Sequence, residues 1–201
     1  MIDAKTVGEL RARTGAGIVE CKKALTEAGG DMEKAIEVLK KSGAVKAAKK
    51  GDRETAEGLV HAYVHSNGKM GAIVEVQCET DFVARNEDFQ AFVHDVAMQV
   101  VATDPQWVSP EHIPADEVEK MRVTFTEELV ADKKPDEIKA KIVEGKLNKW
   151  FSDVTLTKQL WVKDDSKTIE QLLTEKIATI GEKIVIARFA RFQLSAAPKT
   201  C

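Results

Sequence analysis

Residues 57–78 read EGLVHAYVHSNGKMGAIVEVQC and carry the clearest local structural signal in the chain. Two runs rich in β-branched residues flank the dipeptide Asn67-Gly68. An Asn-Gly pair between two such runs is the strongest short-range signal for a β-hairpin, because its tight turn requires positive φ angles. The stretch therefore predicts a hairpin at the start of a domain that contains a sheet.

A helical pattern follows the predicted hairpin. Asn86 is suited to cap a helix, and Glu87 and Asp88 would place negative charge in its first turn, where the helix dipole favours it. Apolar residues then recur at helical spacing, at Phe89, Phe92, Val93, Val96, Ala97, Val100 and Val101. Such a stripe predicts an amphipathic helix with one buried face. The preceding segment TDFVAR is predicted to form a separate short turn.

The C-terminal half continues this mixture of helices and strands. Apolar periodicity predicts helices near 115–131, 135–150 and 168–180, with an irregular segment or short strand at 155–163. The closing run IVIARFARFQL, 184–194, predicts a strand with apolar residues on both faces. Because such a strand is usually covered on both sides, we expect helices on one face and consider another subunit for the other.

Upstream of the hairpin, residues 3–42 show the pattern of three short helices. Asp31 is suited to cap the third helix, and Ser42-Gly43 is predicted to end it, since glycine favours the left-handed conformation at a helix end. Residues 44–56 contain almost no large apolar side chain, which predicts a linker, with continuation of the helix at its start as an alternative. This linker carries four basic residues, Lys46, Lys49, Lys50 and Arg53.

The predicted fold class is α+β. Residues 1–43 are expected to form a small three-helix module, 44–56 a linker, and 57–201 a core domain with an antiparallel sheet and packed helices. The chain has 201 residues, of which 43% are hydrophobic and 31% charged. This length and composition are those of a folded protein with one sizeable domain and a small one.

Charge, hydropathy and cysteine spacing exclude several classes of protein. The net charge of −3 lacks the basic excess typical of a chain that wraps nucleic acid. No run of about 18 apolar residues predicts a membrane span, and the N-terminus does not resemble a signal peptide, so we expect a cytoplasmic protein. Cys21, Cys78 and Cys201 lack CxxC spacing, which argues against a zinc site or a disulfide framework. Cys201 is expected to be exposed.

No motif of a nucleotide-binding loop or a hydrolase is present in the sequence. His61 and His65 would lie about 13 Å apart on the predicted strand, so we expect surface residues there rather than metal ligands. A nucleophilic role for Cys78 is the enzyme alternative. The acidic residues beside Cys78 disfavour its thiolate, which makes that alternative weak. No cofactor is expected.

Two features leave alternatives open. The basic linker is either a solvated hinge or a contact for RNA, and the absence of interleaved aromatic residues favours the hinge. Phe82 either packs into the corner between hairpin and helix or is presented to a pocket on a partner, where an aromatic anchor can dominate the binding energy. Periodicity alone does not decide between the two placements of Phe82.

Four segments of the chain resemble the elongation factor Ts family, in the same order and along essentially the whole length. The stretch LRARTGAGIVECKKALTEAGGDMEKAI, 10–36, is similar to the ubiquitin-associated-like module of that family. VQCETDFVARNEDF, 76–89, resembles its second signature. Two further similar segments are IVEGKLNKWFSDVTLTKQLWVKD, 142–164, and ARFARFQL, 187–194.

The resemblance implies a non-enzymatic guanine-nucleotide exchange factor that binds the GTPase elongation factor Tu in its GDP-bound and nucleotide-free forms. A four-residue motif is then expected to reach the GTPase and help to dislodge its Mg²⁺, so that GDP leaves and GTP can bind. The residues of this motif are Thr80, Asp81, Phe82 and Val83.

The resemblance also implies that the N-terminal module docks on the nucleotide-binding domain of the same partner. The expected contacts are Arg11, Ile18 and Val19, where the pair Ile18-Val19 departs from the Met of many relatives but stays apolar. The chain is similar to the short form of the family, with one core subdomain, and short relatives act as homodimers. Neither a membrane nor direct nucleic-acid contact is implied.

Overall fold

The structure is a computed structural model that describes residues 2–130, 132 and 134–194. It divides into two compact units. The first comprises the chain up to residue 60 together with 75–93 and 171–186, and the second comprises 61–74, 94–170 and the chain from 187 onward. Cys201, expected to be exposed, lies outside the described residues.

Eight α-helices and five strands make up the described chain. The helices are α1 Ala4–Thr14, α2 Ile18–Glu27, α3 Met32–Ala48, α4 Asp81–Ala84, α5 Glu87–Thr103, α6 Ala115–Glu127, α7 Asp136–Val154 and α8 Ile169–Ile180. The strands are β1 Glu57–Val64, β2 Met70–Cys78, β3 Leu160–Trp161, β4 Asp164–Thr168 and β5 Ile184–Gln193. One sheet has the order β1-β2-β5, and β3 pairs with β4 in an antiparallel ribbon. The predicted α+β class is confirmed.

The N-terminal module of the first unit consists of α1, α2 and α3. Asp31 caps α3, because its carboxylate accepts the backbone N–H groups of Glu33 and Lys34 at 3.0 and 3.1 Å. Gly15 ends α1 in the left-handed conformation, with φ +68°. The three helices enclose a small core of six buried residues: Val7, Leu10, Cys21, Ala24, Leu25 and Ala35.

The predicted end of the third helix at Ser42-Gly43 is wrong, since α3 continues to Ala48. Gly43 is buried within the helix, and a Cβ at this position would lie 3.3 Å from the Cβ of Ala178 in α8. The absence of a side chain at Gly43 therefore allows α3 and α8 to approach closely, and it does not mark the end of a helix. The division into 1–43, 44–56 and 57–201 stays a prediction.

The hairpin predicted around Asn67-Gly68 is confirmed. The N–H of His65 donates to the carbonyl of Met70 at 2.9 Å, and Gly68 adopts a φ of +65° in the turn. Along β2 the buried residues alternate with more exposed ones. The buried residues are Ala72, Val74, Val76 and Cys78.

The apolar stripe predicted after Asn86 is also confirmed, and it belongs to α5. The side-chain oxygen of Asn86 accepts the N–H groups of Asp88 and Phe89 at 2.7 and 3.4 Å, which caps the helix as expected. All seven residues of the stripe are buried, from Phe89 to Val101. None of the helices that the structure describes is long and apolar enough to cross a membrane.

A buried amide organises the second unit. Gln99 of α5 donates to the side chain of Gln159 and the carbonyl of Leu160 at 3.3 and 3.1 Å, and accepts the N–H of Val162 at 2.9 Å. These bonds tie the helix to β3 and to the turn after it. The adjoining strand β4 was not predicted, because its sequence DDSKT carries no apolar signal.

The last strand, β5, differs along its length. Ile184 and Ile186 near its start are buried, whereas Phe192 is 69% exposed. Leu194, just beyond its end, is 68% exposed. Helices were expected to cover one face of this strand. In the described chain, the apolar side chains at its far end remain uncovered.

A pair of histidines lies between β1 and α5 in the second unit. The Nε2 of His61 lies 3.0 Å from the Nδ1 of His94, and Tyr63 packs edge-on against the His94 ring. Burial lowers the pKa of His61, and the neighbouring His94 lowers it further. His65, two residues after Tyr63, is exposed as expected, but His61 is half-buried and faces the helix.

Replacement of Gln99 by leucine should destabilise the protein by about 1–3 kcal/mol, because the carbonyl of Leu160 and the N–H of Val162 lose a buried partner. Urea unfolding followed by circular dichroism measures this loss. Gln90→Leu on the exposed side of the same helix is the control and should change stability by less than about 0.5 kcal/mol. Equal effects of the two variants would contradict a structural role for Gln99.

Stability should fall on acidification through the ordinary pKa of histidine. Because the folded pKa of His61 is depressed, the unfolded chain binds this proton first, so the stabilisation is present above about pH 6.5 and is lost as the pH falls. Urea unfolding at pH 7.5 and 5.0 should show a smaller loss for His61→Gln than for the wild type. His65→Gln is the exposed control. A His61→Gln variant that loses as much stability as the wild type between pH 7.5 and 5.0 would contradict this role of His61.

Candidate partner-binding site

The motif Thr80–Val83 forms an isolated turn of helix, α4, between β2 and α5. Thr80 is its N-cap, with extended backbone angles and a hydroxyl that accepts the N–H of Val83 at 3.4 Å. The N–H of Asn86 donates to the carbonyl of Val83 at 3.0 Å and closes the turn before α5 begins. The predicted separate turn is therefore confirmed.

Phe82 projects from this turn into solvent, with 83% of its surface exposed. The alternative in which it packs into the corner between hairpin and helix is wrong. The flanking charges pair with each other, Asp81 with Arg85 at 3.1 Å on adjacent turns. A large aromatic side chain held in water between charged neighbours is available to a partner without any rearrangement of the core.

Two carboxylates fix the base of the turn. Glu182 accepts the N–H groups of Glu79 and Thr80 at 3.1 and 3.0 Å and the hydroxyl of Thr80 at 2.7 Å. Glu79 in return accepts the backbone N–H of Lys183 and pairs with Arg53 at 3.1 Å. The bond from Lys183, followed by those from Arg53, lowers the pKa of Glu79, which keeps its carboxylate charged.

Glu79, Glu182 and Lys183 belong to this site but are not among the residues that the sequence predicts for it. Glu182 lies 102 residues from Thr80, so no periodicity or capping pattern connects the two. The only sequence signal is Gly181, a glycine directly after the helix predicted near 168–180, and it adopts a φ of +89° there. The glycine ends α8 and so places Glu182 in the turn that leads to β5.

Cys78 lies directly before this network but is not poised as a nucleophile. Burial raises the pKa of its thiol to about 11, with the charges of Glu182 and Glu57 as lesser causes. The raised pKa agrees with the prediction, although the acids beside Cys78 in sequence are not the ones responsible. The described part of the chain contains no group of three or more His, Cys, Asp or Glu side chains that could hold a metal ion.

The three residues predicted at the corner of the N-terminal module are all exposed. Ile18 and Val19 open α2 and are 56% and 71% exposed, while Arg11 lies in the last turn of α1. This corner and the turn that carries Phe82 belong to the same compact unit.

Three of the four basic side chains in the predicted linker hold protein partners. Lys46 pairs with Glu20, the ammonium of Lys50 donates to the carbonyl of Gly181, and Arg53 pairs with Glu79. These three side chains remain partly exposed, and the solvated hinge stays a prediction.

Comparison with known proteins identifies the family. The profile of the family described as Elongation factor TS matches residues 31–196. Proteins named Elongation factor Ts from Acetivibrio thermocellus and Thermosipho melanesiensis are 51% and 52% identical over 96% of this chain, which covers 90% and 98% of their lengths. The protein of that name from Anaeromyxobacter dehalogenans strain 2CP-1 is 54% identical over 96% of this chain and is covered over 88% of its length. This chain belongs to the elongation factor Ts family of translation elongation factors.

Proposed function

We propose that this protein is a guanine-nucleotide exchange factor for the GTPase elongation factor Tu. It binds the GDP-bound and nucleotide-free forms, perturbs the Mg²⁺ and nucleotide site, and promotes GDP release so that GTP can bind. The observation that carries the proposal is Phe82, 83% exposed on a capped turn in a member of this family.

The proposal has a thermodynamic requirement. A factor that weakens nucleotide binding a thousandfold must bind the empty GTPase more tightly than the GDP-bound form by the same ratio, about 4 kcal/mol. Transfer of one Phe side chain from water into a pocket contributes roughly 1.5–3 kcal/mol. Because Phe82 is almost fully exposed before binding, most of this free energy remains available for a pocket that opens only in the distorted GTPase.

Asp81 is positioned to act together with Phe82. Its carboxylate pairs with Arg85 at 3.1 Å, but both side chains face solvent. Such an exposed pair stabilises a helix by only about 0.3–0.5 kcal/mol, so Asp81 can leave it at little cost. A carboxylate beside the inserted ring would repel the negative charge of the nucleotide phosphates, which Mg²⁺ neutralises.

The corner of the N-terminal module provides a second contact in this proposal. Ile18 and Val19 present an apolar surface, with Arg11 as a neighbouring charge. A second contact on the same partner makes insertion of Phe82 effectively intramolecular, which increases the affinity without changing either surface. We therefore assign Arg11, Ile18 and Val19 to docking and Thr80, Asp81, Phe82 and Val83 to exchange.

The proposed activity takes place in the cytoplasm and involves no covalent step, no cofactor, no membrane and no direct contact with nucleic acid. The raised pKa of the Cys78 thiol supports a non-enzymatic function, because a thiol with a pKa of about 11 is protonated at neutral pH. The alternative of RNA binding through the basic segment is disfavoured, since the chain has a net charge of −3 and no aromatic residue is interleaved with the basic side chains.

We also propose that two copies of the chain associate through the sheet of the second unit. On β1, His61 faces α5, so the alternate residues Ala62 and Val64 lie on the opposite face. This face is exposed and is extended by further apolar side chains: Ile73, Phe192 and Leu194. A contiguous apolar surface is uncommon on a monomer, and one patch repeated in two copies is what a twofold dimer requires.

Phe82→Ala should slow the release of a fluorescent GDP analogue from elongation factor Tu by about 10- to 100-fold relative to the wild type, because the burial of one Phe is lost. Stopped-flow fluorescence measures the release. Leu160→Ala, another exposed apolar truncation, is the control and should keep the wild-type rate. A wild-type protein without effect on release would refute the proposed function, and a fully active Phe82→Ala would refute the assignment of Phe82.

Phe192→Asp should convert a dimer into monomers, because a charge buried in an apolar interface is strongly unfavourable. Sedimentation equilibrium at micromolar concentrations measures the mass. Phe82→Asp introduces the same charge at the other highly exposed Phe and should leave the dimer intact. A wild-type chain that sediments as a monomer, or a Phe192→Asp variant that remains dimeric, would exclude association through this face.

A further inference from the structure

Glu182 makes an unusual set of contacts in the first unit. It follows Gly181 in the turn between α8 and β5, and both oxygens of its carboxylate accept hydrogen bonds. All three donors come from one short segment, namely the N–H groups of Glu79 and Thr80 and the hydroxyl of Thr80. The carboxylate is therefore directed at the residue that caps α4.

The hydroxyl of Thr80 depends on this carboxylate for its orientation. A hydroxyl has one proton to donate, and here it donates to Glu182 at 2.7 Å. Its lone pairs are then left to accept the N–H of Val83 at 3.4 Å, which is the capping bond of α4. Because the acceptor is charged, the bond that orients the hydroxyl is stronger than one between neutral groups.

A helix of four residues has no stability of its own, since nucleation of a single turn is unfavourable. The conformation of Asp81–Ala84 therefore depends on its cap and on the segment that precedes it. Phe82 lies two residues after Thr80 and is too exposed to be held by packing. The direction of its side chain is thus set through Thr80.

A reciprocal contact holds Glu182 itself in place. The carboxylate of Glu79 accepts the backbone N–H of Lys183, next to Glu182 in sequence. The ammonium of Lys183 donates to the carbonyls of Gly51 and Arg53, both at 2.7 Å. The turn that carries Glu182 is therefore held by Glu79 and by the carbonyls of Gly51 and Arg53, and it can serve as a rigid support for α4.

We propose that Glu182 is a positioning residue for nucleotide exchange, which holds the cap of α4 so that Phe82 meets the GTPase in a fixed orientation. The inference rests on the exchange function proposed above and adds a residue to its site. A preformed orientation reduces the conformational entropy lost when the side chain is inserted, and so favours the distorted, nucleotide-free complex. Glu182 acts through Thr80 and Phe82 and need not contact the partner.

The test measures GDP release from elongation factor Tu over a range of concentrations of this protein. Glu182→Ala should lower the maximal release rate about tenfold, through loss of the charged acceptor. Its half-saturating concentration should change less than about threefold, since the proposed docking corner is retained. Glu182→Gln keeps one acceptor oxygen for the two N–H groups, and its rate should lie between those of Glu182→Ala and the wild type.

Non-additivity distinguishes positioning from general stabilisation. If Glu182 acts through Phe82, the double variant Glu182→Ala/Phe82→Ala should be no slower than Phe82→Ala alone. Melting temperatures show whether each variant is folded, and Glu128→Ala, which removes a carboxylate paired with Lys146, is the control. Should Glu182→Ala fail to fold, the comparison is made with Glu182→Gln.

The outcomes separate this inference from the function on which it rests. A wild-type protein that does not accelerate release overturns both. If the wild type is active and Phe82→Ala is slow, a Glu182 variant with wild-type kinetics, or additive losses in the double variant, overturns the positioning role alone. Reduced maximal rate, intermediate activity of Glu182→Gln and a non-additive double variant establish it.

Discussion

The first compact unit depends on an exchange of hydrogen bonds between two short segments far apart in sequence. The carboxylate of Glu182 accepts the N–H groups of Glu79 and Thr80, and the carboxylate of Glu79 accepts the N–H of Lys183. Each bond satisfies a backbone donor with a charged acceptor, which is stronger than a neutral bond and costly to break. Through this exchange the end of β2 and the start of β5 are held together, and α4 begins from a fixed point.

Features with a local cause could be predicted from the sequence. The Asn67-Gly68 turn, the Asn86 cap and the stripe of α5 each depend on residues within a few positions of one another. Such signals are read from spacing alone, because turn geometry and helical periodicity are properties of the chain itself. They account for the α+β class and for the approximate position of nearly every element.

Features that depend on distant residues could not be predicted in the same way. Gly43 resembles a helix stop, and only the position of Ala178 shows that it serves a helix contact instead. The basic residues in and just after the last turn of α3 resemble a free hinge, but Glu20, Gly181 and Glu79 bind three of them. Periodicity also left open whether Phe82 is buried, since a residue in a lone turn belongs to no stripe. The long-range contacts that decide these cases leave no pattern in a single sequence.

The arrangement around Phe82 combines two opposite physical requirements. A side chain that is to deliver its burial energy to a partner must stay in water in the free protein, so its own packing cannot hold it in place. Its orientation must then come from the backbone beneath it, and a single turn of helix is too short to maintain itself. Charged acceptors on the supporting segment meet this need, because they fix the backbone strongly without covering the ring. For the proposed exchange function, an exposed aromatic residue above a carboxylate network would meet both requirements.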